Sequence, residues 1–241
     1  MSVRIIFTHG IMGNNRIFDP LIEEVSGWQG DISCECVTLP GHGGNALDFA
    51  ASSMAKWQEC LDNHVAAAQR QYDHVILVGH SMGGLLSVQS ALTYPLKVRG
   101  LFMLALPLKI SMKPRYAANA VCAAMGWRKG CANVSATIEA AGVSDSNLFH
   151  YIATTPRYIE LFRKSARTRE LLDKVTVPML AVLSKNDSIV AFDSARIAEK
   201  AGAQVCRLQE SDHFLYTPRE MQLCRGRFRM FVGACTGMSI R

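Results

Sequence analysis

Ser81 sits in the stretch HVILVGHSMGGLL (74–86), where an apolar run ends in a serine fenced by glycines. A serine hydroxyl becomes an effective nucleophile only when a base takes its proton and the backbone presents its oxygen at an exposed, sharp turn. An apolar strand, the residues Gly79-His80-Ser81-Met82-Gly83 and a following helical pattern match the strand, turn, helix context of a GxSxG nucleophile elbow. Gly79, Gly83 and Gly84 are small enough for the helix to pass close to the strand. The other readings of such a turn are phosphate binding and tight packing. A P-loop needs Lys and then Ser or Thr after its last glycine, and Leu85 and Leu86 stand there instead.

A base and a carboxylate to orient it are expected after the serine, at the C-terminal ends of later strands. Asp187 follows the apolar run PMLAVLSKN, and His213 follows AQVCRLQESD. Asp145, Asp193 and Asp212 compete for the acid role, but the first falls in an insertion, the second on a helix, and the third beside the histidine with its side chain directed away. His9, His42, His64 and His74 precede the serine, His80 lies inside the elbow and His150 falls in the insertion, which leaves His213 as base.

Attack on a carbonyl creates an oxyanion that needs backbone N–H donors. Met82 N–H, at the start of the helix after Ser81, is one candidate. The second is Ile11 N–H in FTHGIMGNN, where Gly10 lets the backbone turn inward. His42, in LPGHGG, has no HxxH or HExxH spacing and reads as part of a turn on the rim of the site, so no metal ligand is assigned.

Those residues need a frame. Strand-like runs at 3–7, 33–37, 74–79, 99–105, 178–184 and 203–209 alternate with helical patterns around 17–26, 53–71, 83–94, 192–200 and 218–232. This is the pattern of an α/β fold with a mostly parallel sheet of about six strands covered by helices on both faces. The alternation breaks between residues 106 and 177, where helical spacing continues without a strand. A structureless loop of that length is improbable in a compact domain. Residues 107–176 are therefore expected to form a helical cap, or lid, inserted into a core of residues 1–106 and 177–241. Within it, YAANAVCAAMGW (116–127) either lines an acyl pocket or packs the insertion on the core, and packing is the preferred reading.

At 241 residues with 49% hydrophobic and 19% charged side chains, the chain is too apolar for disorder and long enough for one substantial core. It shows neither a membrane-spanning run nor a secretory signal, so a cytoplasmic address is expected. The eight cysteines lack metal or disulfide spacing and read as mostly buried thiols. A net charge of +6 includes clusters at Arg157, Arg163, Lys164, Arg167 and Arg169 and at Arg225, Arg227 and Arg229. Both clusters read as solvated helix faces, and no nucleic-acid motif accompanies them.

HGIMGN (9–14), PGHGG (40–44), GHSMGG (79–84), SKNDSIV (184–190) and ESDHF (210–214) together give nearly the full chain a resemblance to the serine α/β-hydrolase superfamily. Within it the chain looks most like small bacterial carboxylesterases and monoacylglycerol lipases. The resemblance implies Ser81 as nucleophile, Asp187 as acid, His213 as base, Ile11 and Met82 as oxyanion donors, and a cap over an acyl pocket. It implies hydrolysis of short- or medium-chain acyl esters or monoacylglycerols without a cofactor. Thioester, lactone, amide or carbon–carbon cleavage and a non-catalytic binding role are the rivals. The expected partner is a small-molecule ester, with transient contact with a lipid surface and a monomeric or homodimeric state left open. The first strand-like run starts at Val3, so the early antiparallel strands of many members are expected to be missing, which leaves one sheet edge to protect, with dimerisation through it as the remedy.

Overall fold

The computed structural model describes residues 1–124, 127 and 130–240. The chain runs β1 (Val3–Thr8), α1 (Asp19–Ser26), β2 (Ile32–Val37), α2 (Ala46–Ala50), α3 (Met54–Gln71), β3 (His74–His80), α4 (Met82–Thr93) and β4 (Val98–Leu104). It continues through α5 (Pro114–Ala124), α6 (Ala132–Ala140), α7 (Thr155–Leu171), β5 (Met179–Ser184), α8 (Asp193–Lys200), β6 (Gln204–Leu208) and α9 (Pro218–Thr236). The six strands form one sheet in the order β2-β1-β3-β4-β5-β6, and every pairing is parallel, where the sequence pattern required only a mostly parallel sheet.

Alternate side chains along the four inner strands β1, β3, β4 and β5 enter two separate cores, which is why those strands read as apolar runs, while the edge strands β2 and β6 carry Glu35, Gln204 and Arg207. Ile6, Leu77, Leu101 and Ala181 pack with Trp57 and Leu61 of α3 and Leu85 of α4. Ile5, Phe7, Val78 and Phe102 face the other way, toward Leu21 of α1 and Phe228 and Val232 of α9. The strand order reverses direction between β1 and β3, so the C-terminal ends of these two central strands open a crevice where ligands of such sheets collect.

Between β4 and β5 the described residues form α5, α6, a 3-10 segment (Leu148–Thr154) and α7, with no strand. The first part is tied to the loop after β5: Ser111 N–H donates to Ile189 O and Lys113 N–H to Ser188 O, both at 2.8 Å. On α7 most of the basic cluster is engaged within the protein, with Arg163 exposed. Arg157 reaches Ser52 O and Glu160, Lys164 donates to Gln58 Oε1, Arg167 pairs with Glu170, and Arg169 donates to Leu108 O. Arg225 and Arg229 likewise hold Glu24 of α1. Arg157, Lys164, Arg169, Arg225 and Arg229 thus fasten helices, while Arg163, Arg167 and Arg227 stand on exposed helix faces.

One expectation fails on burial. Only Cys206 and Cys224 are buried; Cys36 is exposed and the remaining cysteines are half-buried. Among the described residues no helix is long and apolar enough to cross a membrane.

Candidate active site

Ser81 occupies the junction of β3 and α4 with φ +51° and ψ −119°, a conformation a non-glycine residue holds only when its surroundings over-determine it. Ser81 N–H donates to Leu104 O on the neighbouring strand, and Ser81 O accepts from Gly84, both at 2.9 Å. The flanking glycines leave no space for a side chain. A Cβ on Gly79 would lie 2.4 Å from Gly84 N, and one on Gly83 would lie 1.9 Å from Thr8 O. At Gly84 the nearest obstacle would be the tip of Leu106, at 2.9 Å.

Asp187 and His213, 26 positions apart, meet beside it: Nδ1 of the imidazole lies 2.9 and 3.1 Å from the two carboxylate oxygens. A ring nitrogen against a carboxylate carries the proton, which leaves Nε2 with its lone pair for another donor. Both groups are buried. Burial pushes the Asp187 carboxyl up, but the imidazole's charge and hydrogen bond, with the N–H groups of Val190 and Ile189, outweigh it and hold the acid below its ordinary value. Those two N–H groups reach Oδ1 at 2.8 and 2.7 Å and fix the carboxylate's orientation. Ser81 and His213 line the same cavity. Among the described residues no hydrogen bond joins Ser81 Oγ to the ring, and such contacts often tighten only with substrate present.

The competing carboxylates are engaged elsewhere. Asp145 pairs with His150, Asp193 with Lys109, and Asp212 Oδ1 accepts the N–H groups of Ser188 and His213, each at 2.7 Å. Asp212 thus ties the acid loop to the base loop while its carboxylate stays off the ring.

Ile11 N–H has no hydrogen-bond partner among the described residues, and Met82 opens α4, where the first N–H groups have no preceding carbonyl to meet. Gly10 packs against the elbow, with a hypothetical Cβ only 3.1 Å from Ser81 Cβ. Ile11, Gly10, Ser81 and His213 share the wall of a cavity of about 370 Å³ whose far side is built by Pro107, Ile110, Leu161 and Phe162. A second cavity of about 280 Å³ shares Ile11, Tyr116, Ala120, Tyr158 and Phe214 with the first and is bounded by Thr137, Ser144 and Asp145. The 116–127 run therefore faces cavity, against the preferred packing reading: Tyr116, Ala120 and Ala123 line these spaces, and none of the described residues there is buried. Short apolar side chains on a helix look alike from sequence whether they meet core or void. Met125 and Gly126 of that run lie outside the described residues.

Three supporting residues, His9, His80 and Glu220, went unassigned in the sequence, and a fourth, His42, was read only as part of a rim turn. His42 is buried under the loop after β1, its Nε2 accepting Met12 N–H at 3.1 Å and its Nδ1 facing Leu39 O at 3.2 Å. Burial pushes its pKa down to about 3, so the ring stays neutral and remains an acceptor. His9 lies against it, ring centroids 4.5 Å apart, and burial pushes its pKa down to about 4. His80 donates from Nε2 to His213 O at 3.1 Å. Glu220 gathers the N–H groups of Gln209, Glu210 and Ser211, bracing the loop that delivers His213. Only Glu220 had a visible signal, as the fourth residue of the Thr-Pro-Arg-Glu helix start. Among the described residues no cluster of three or more His, Cys, Asp or Glu could hold a metal ion.

A model of the alpha/beta hydrolase family matches residues 5–222. A pimeloyl-[acyl-carrier protein] methyl ester esterase of Shewanella oneidensis is 30% identical over 101 residues, 42% of this chain and 34% of that protein. Its counterpart in Wigglesworthia glossinidia brevipalpis is 31% identical over 104 residues, 43% and 36% of the two chains. The match thus spans about a third of these relatives. Among solved structures, a metagenome-derived lipolytic enzyme from the LipS and LipT work superposes with a TM-score of 0.72 at 20% identity, covering 97% of this chain and 94% of that one. The monoacylglycerol lipase of Paleococcus ferrophilus gives 0.71 at 17%, covering 96% and 94%. At these identities the likeness is one of fold.

Proposed function

Because the chain belongs to the alpha/beta hydrolase family, we propose that it is a serine hydrolase cleaving carboxylic esters through an acyl-enzyme intermediate. The observation that carries this reading is the convergence of a strained, glycine-fenced Ser81 and a carboxylate-bound His213 on the wall of one apolar cavity. In the reaction, His213 Nε2 takes the Ser81 proton as Oγ attacks the ester carbon. Ile11 and Met82 N–H receive the oxyanion, and Asp187 stabilises the imidazolium that forms. His213 then protonates the departing alcohol. Water, deprotonated by the same ring, releases the acid and restores the serine. Beyond the ester and water, these steps use the chain's own residues alone.

The cavity over Ser81 supports a short- or medium-chain acyl group, and the adjoining cavity past Ile11, with Thr137, Ser144 and Asp145 at its wall, supports a polar alcohol portion. Residues 107–176 act as a cap that supplies most of both walls, over a core of residues 1–106 and 177–241. The partial likeness to methyl ester esterases supports ester chemistry over the other reactions of the fold. A series of aryl esters, monoacylglycerols and acyl thioesters, assayed with the wild-type protein and with Ser81→Ala, tests the reading. Ester turnover is expected only in the wild type and highest for short or medium acyl chains. Undiminished turnover by Ser81→Ala would refute the role of Ser81, and a preference for thioesters would refute the substrate class.

A further inference from the structure

The turn that carries Ile11 N–H is not held by the α/β elements alone. Gly13 N–H donates to Gly10 O at 3.1 Å, closing a four-residue turn with Met12 at φ +52°, an unfavourable region for methionine. Partners must hold Met12 there. On one side His42 Nε2 accepts its N–H. On the other side the partners come from the end of α6. Gly142 N–H donates to Met12 O at 2.7 Å, and Asn14 N–H donates to Ala140 O at 3.0 Å. The Asn14 amide then donates from Nδ2 to Glu139 O at 2.7 Å and to Ala141 O at 2.9 Å, spanning 125 and 127 positions of sequence. Gly142 sits so close that a Cβ would lie 1.9 Å from Gly13 O. Next to it, Gly43 N–H donates to Gly142 O and Ser144 N–H to Gly44 O, so the same segment also grips the loop that carries His42.

We propose that Asn14, acting through residues 139–142 of the insertion, is a positioning residue of the oxyanion hole. Its amide locks the Met12 turn, and the locked turn aims Ile11 N–H into the cavity over Ser81. The inference rests on the reading of Ile11 as an oxyanion donor. It assigns residues 139–142 a place in the catalytic apparatus: this part of the insertion cannot leave the core without releasing the turn.

Asn14→Ser separates positioning from folding. A serine oxygen can still cap Arg16 N–H, as Asn14 Oδ1 does at 2.9 Å, while both amide donors disappear. Competent sites are counted by fluorophosphonate titration, so that rates are compared per site. The expected result is a per-site kcat lower by roughly ten- to a hundredfold with KM changed less than about threefold. Affinity for a trifluoromethyl ketone analogue of the best ester, which forms a tetrahedral adduct, is expected to fall in step with kcat/KM. Asn14→Asp, equal in shape but without donors, is the second variant and is expected to lose at least as much. Wild-type per-site kcat and ketone affinity in either folded variant would overturn the proposal, as would a loss confined to the number of competent sites. Turnover that survives Ser81→Ala would instead sink the reading of Ser81 itself, whatever Asn14 does.

Discussion

The two walls of the cavity are built differently. On the sheet side, Ser81, Asp187 and His213 are almost wholly buried, and their backbones are pinned by Leu104 O, by the glycines of the elbow and by Asp212 and Glu220. On the insertion side, Met112 and Phe162 line the same cavity yet are 57% and 47% exposed. At the elbow the first wall has no room for added bulk, since a Cβ on Gly79 or Gly83 would meet backbone; the other wall can exchange apolar side chains and alter what fits. In the proposed function the chemistry falls to the rigid wall and substrate choice to the side of Met112 and Phe162, and this division can be attacked experimentally.

The largest effect should come from the rigid wall. Asp187→Asn keeps the side chain's shape but removes the charge that orients and stabilises the imidazole, and kcat for the best ester is expected to fall roughly 10⁴-fold with little change in melting temperature. A fall below tenfold in steady-state kinetics would show that Asp187 is not the orienting acid. Next is Gly83→Ala: with Thr8 O 1.9 Å from the new Cβ, the strand and helix must part. Stability in denaturant titration should drop by about 3 kcal/mol or more. An unchanged midpoint would contradict the tight elbow.

The third test uses acid. His42 and His80 are pushed down to about 3 and His9 to about 4 by burial, so in the folded state they stay neutral while the unfolded chain protonates them near 6.5. A histidine with a depressed folded pKa contributes stability that is present above its unfolded pKa and is lost as pH falls toward the folded one. Each can contribute up to about 1.4 kcal/mol per pH unit across that window. Melting temperature should therefore fall between pH 6.5 and 4, and a flat profile would mean that these rings are not buried neutral. The smallest effect belongs to the adaptable wall. Phe162→Ala should shift the preferred acyl length, changing KM by a few fold while kcat and stability hold. A large loss of kcat would erase the distinction between the walls.

Much of the rigid wall was legible in the sequence, for a physical reason. Inner parallel strands covered on both faces must be apolar throughout, so the runs of β1, β3, β4 and β5 stood out, while the edge strands β2 and β6 showed only as shorter mixed runs; the observed strands match all six to within a residue or two at their ends. The GxSxG turn leaves its mark in residue types, because only glycines fit around Ser81. The clasp at Asn14 left no such mark. Its acceptors are main-chain carbonyls of Glu139 and Ala141, which every residue type offers. His42 was likewise read as rim, since nothing in PGHGG reveals that its ring accepts an N–H from a loop 30 positions away. The short α2 was missed although Asn45 and Asp48 form a reciprocal cap at its start, because five residues carry too little periodicity to announce a helix.

The most direct test of the account is to treat the wild-type protein with a fluorophosphonate and map the adduct by peptide mass spectrometry. The account predicts a single modified residue, Ser81, with ester turnover lost in proportion to labelling. An adduct elsewhere, or full turnover with Ser81 fully labelled, would contradict it.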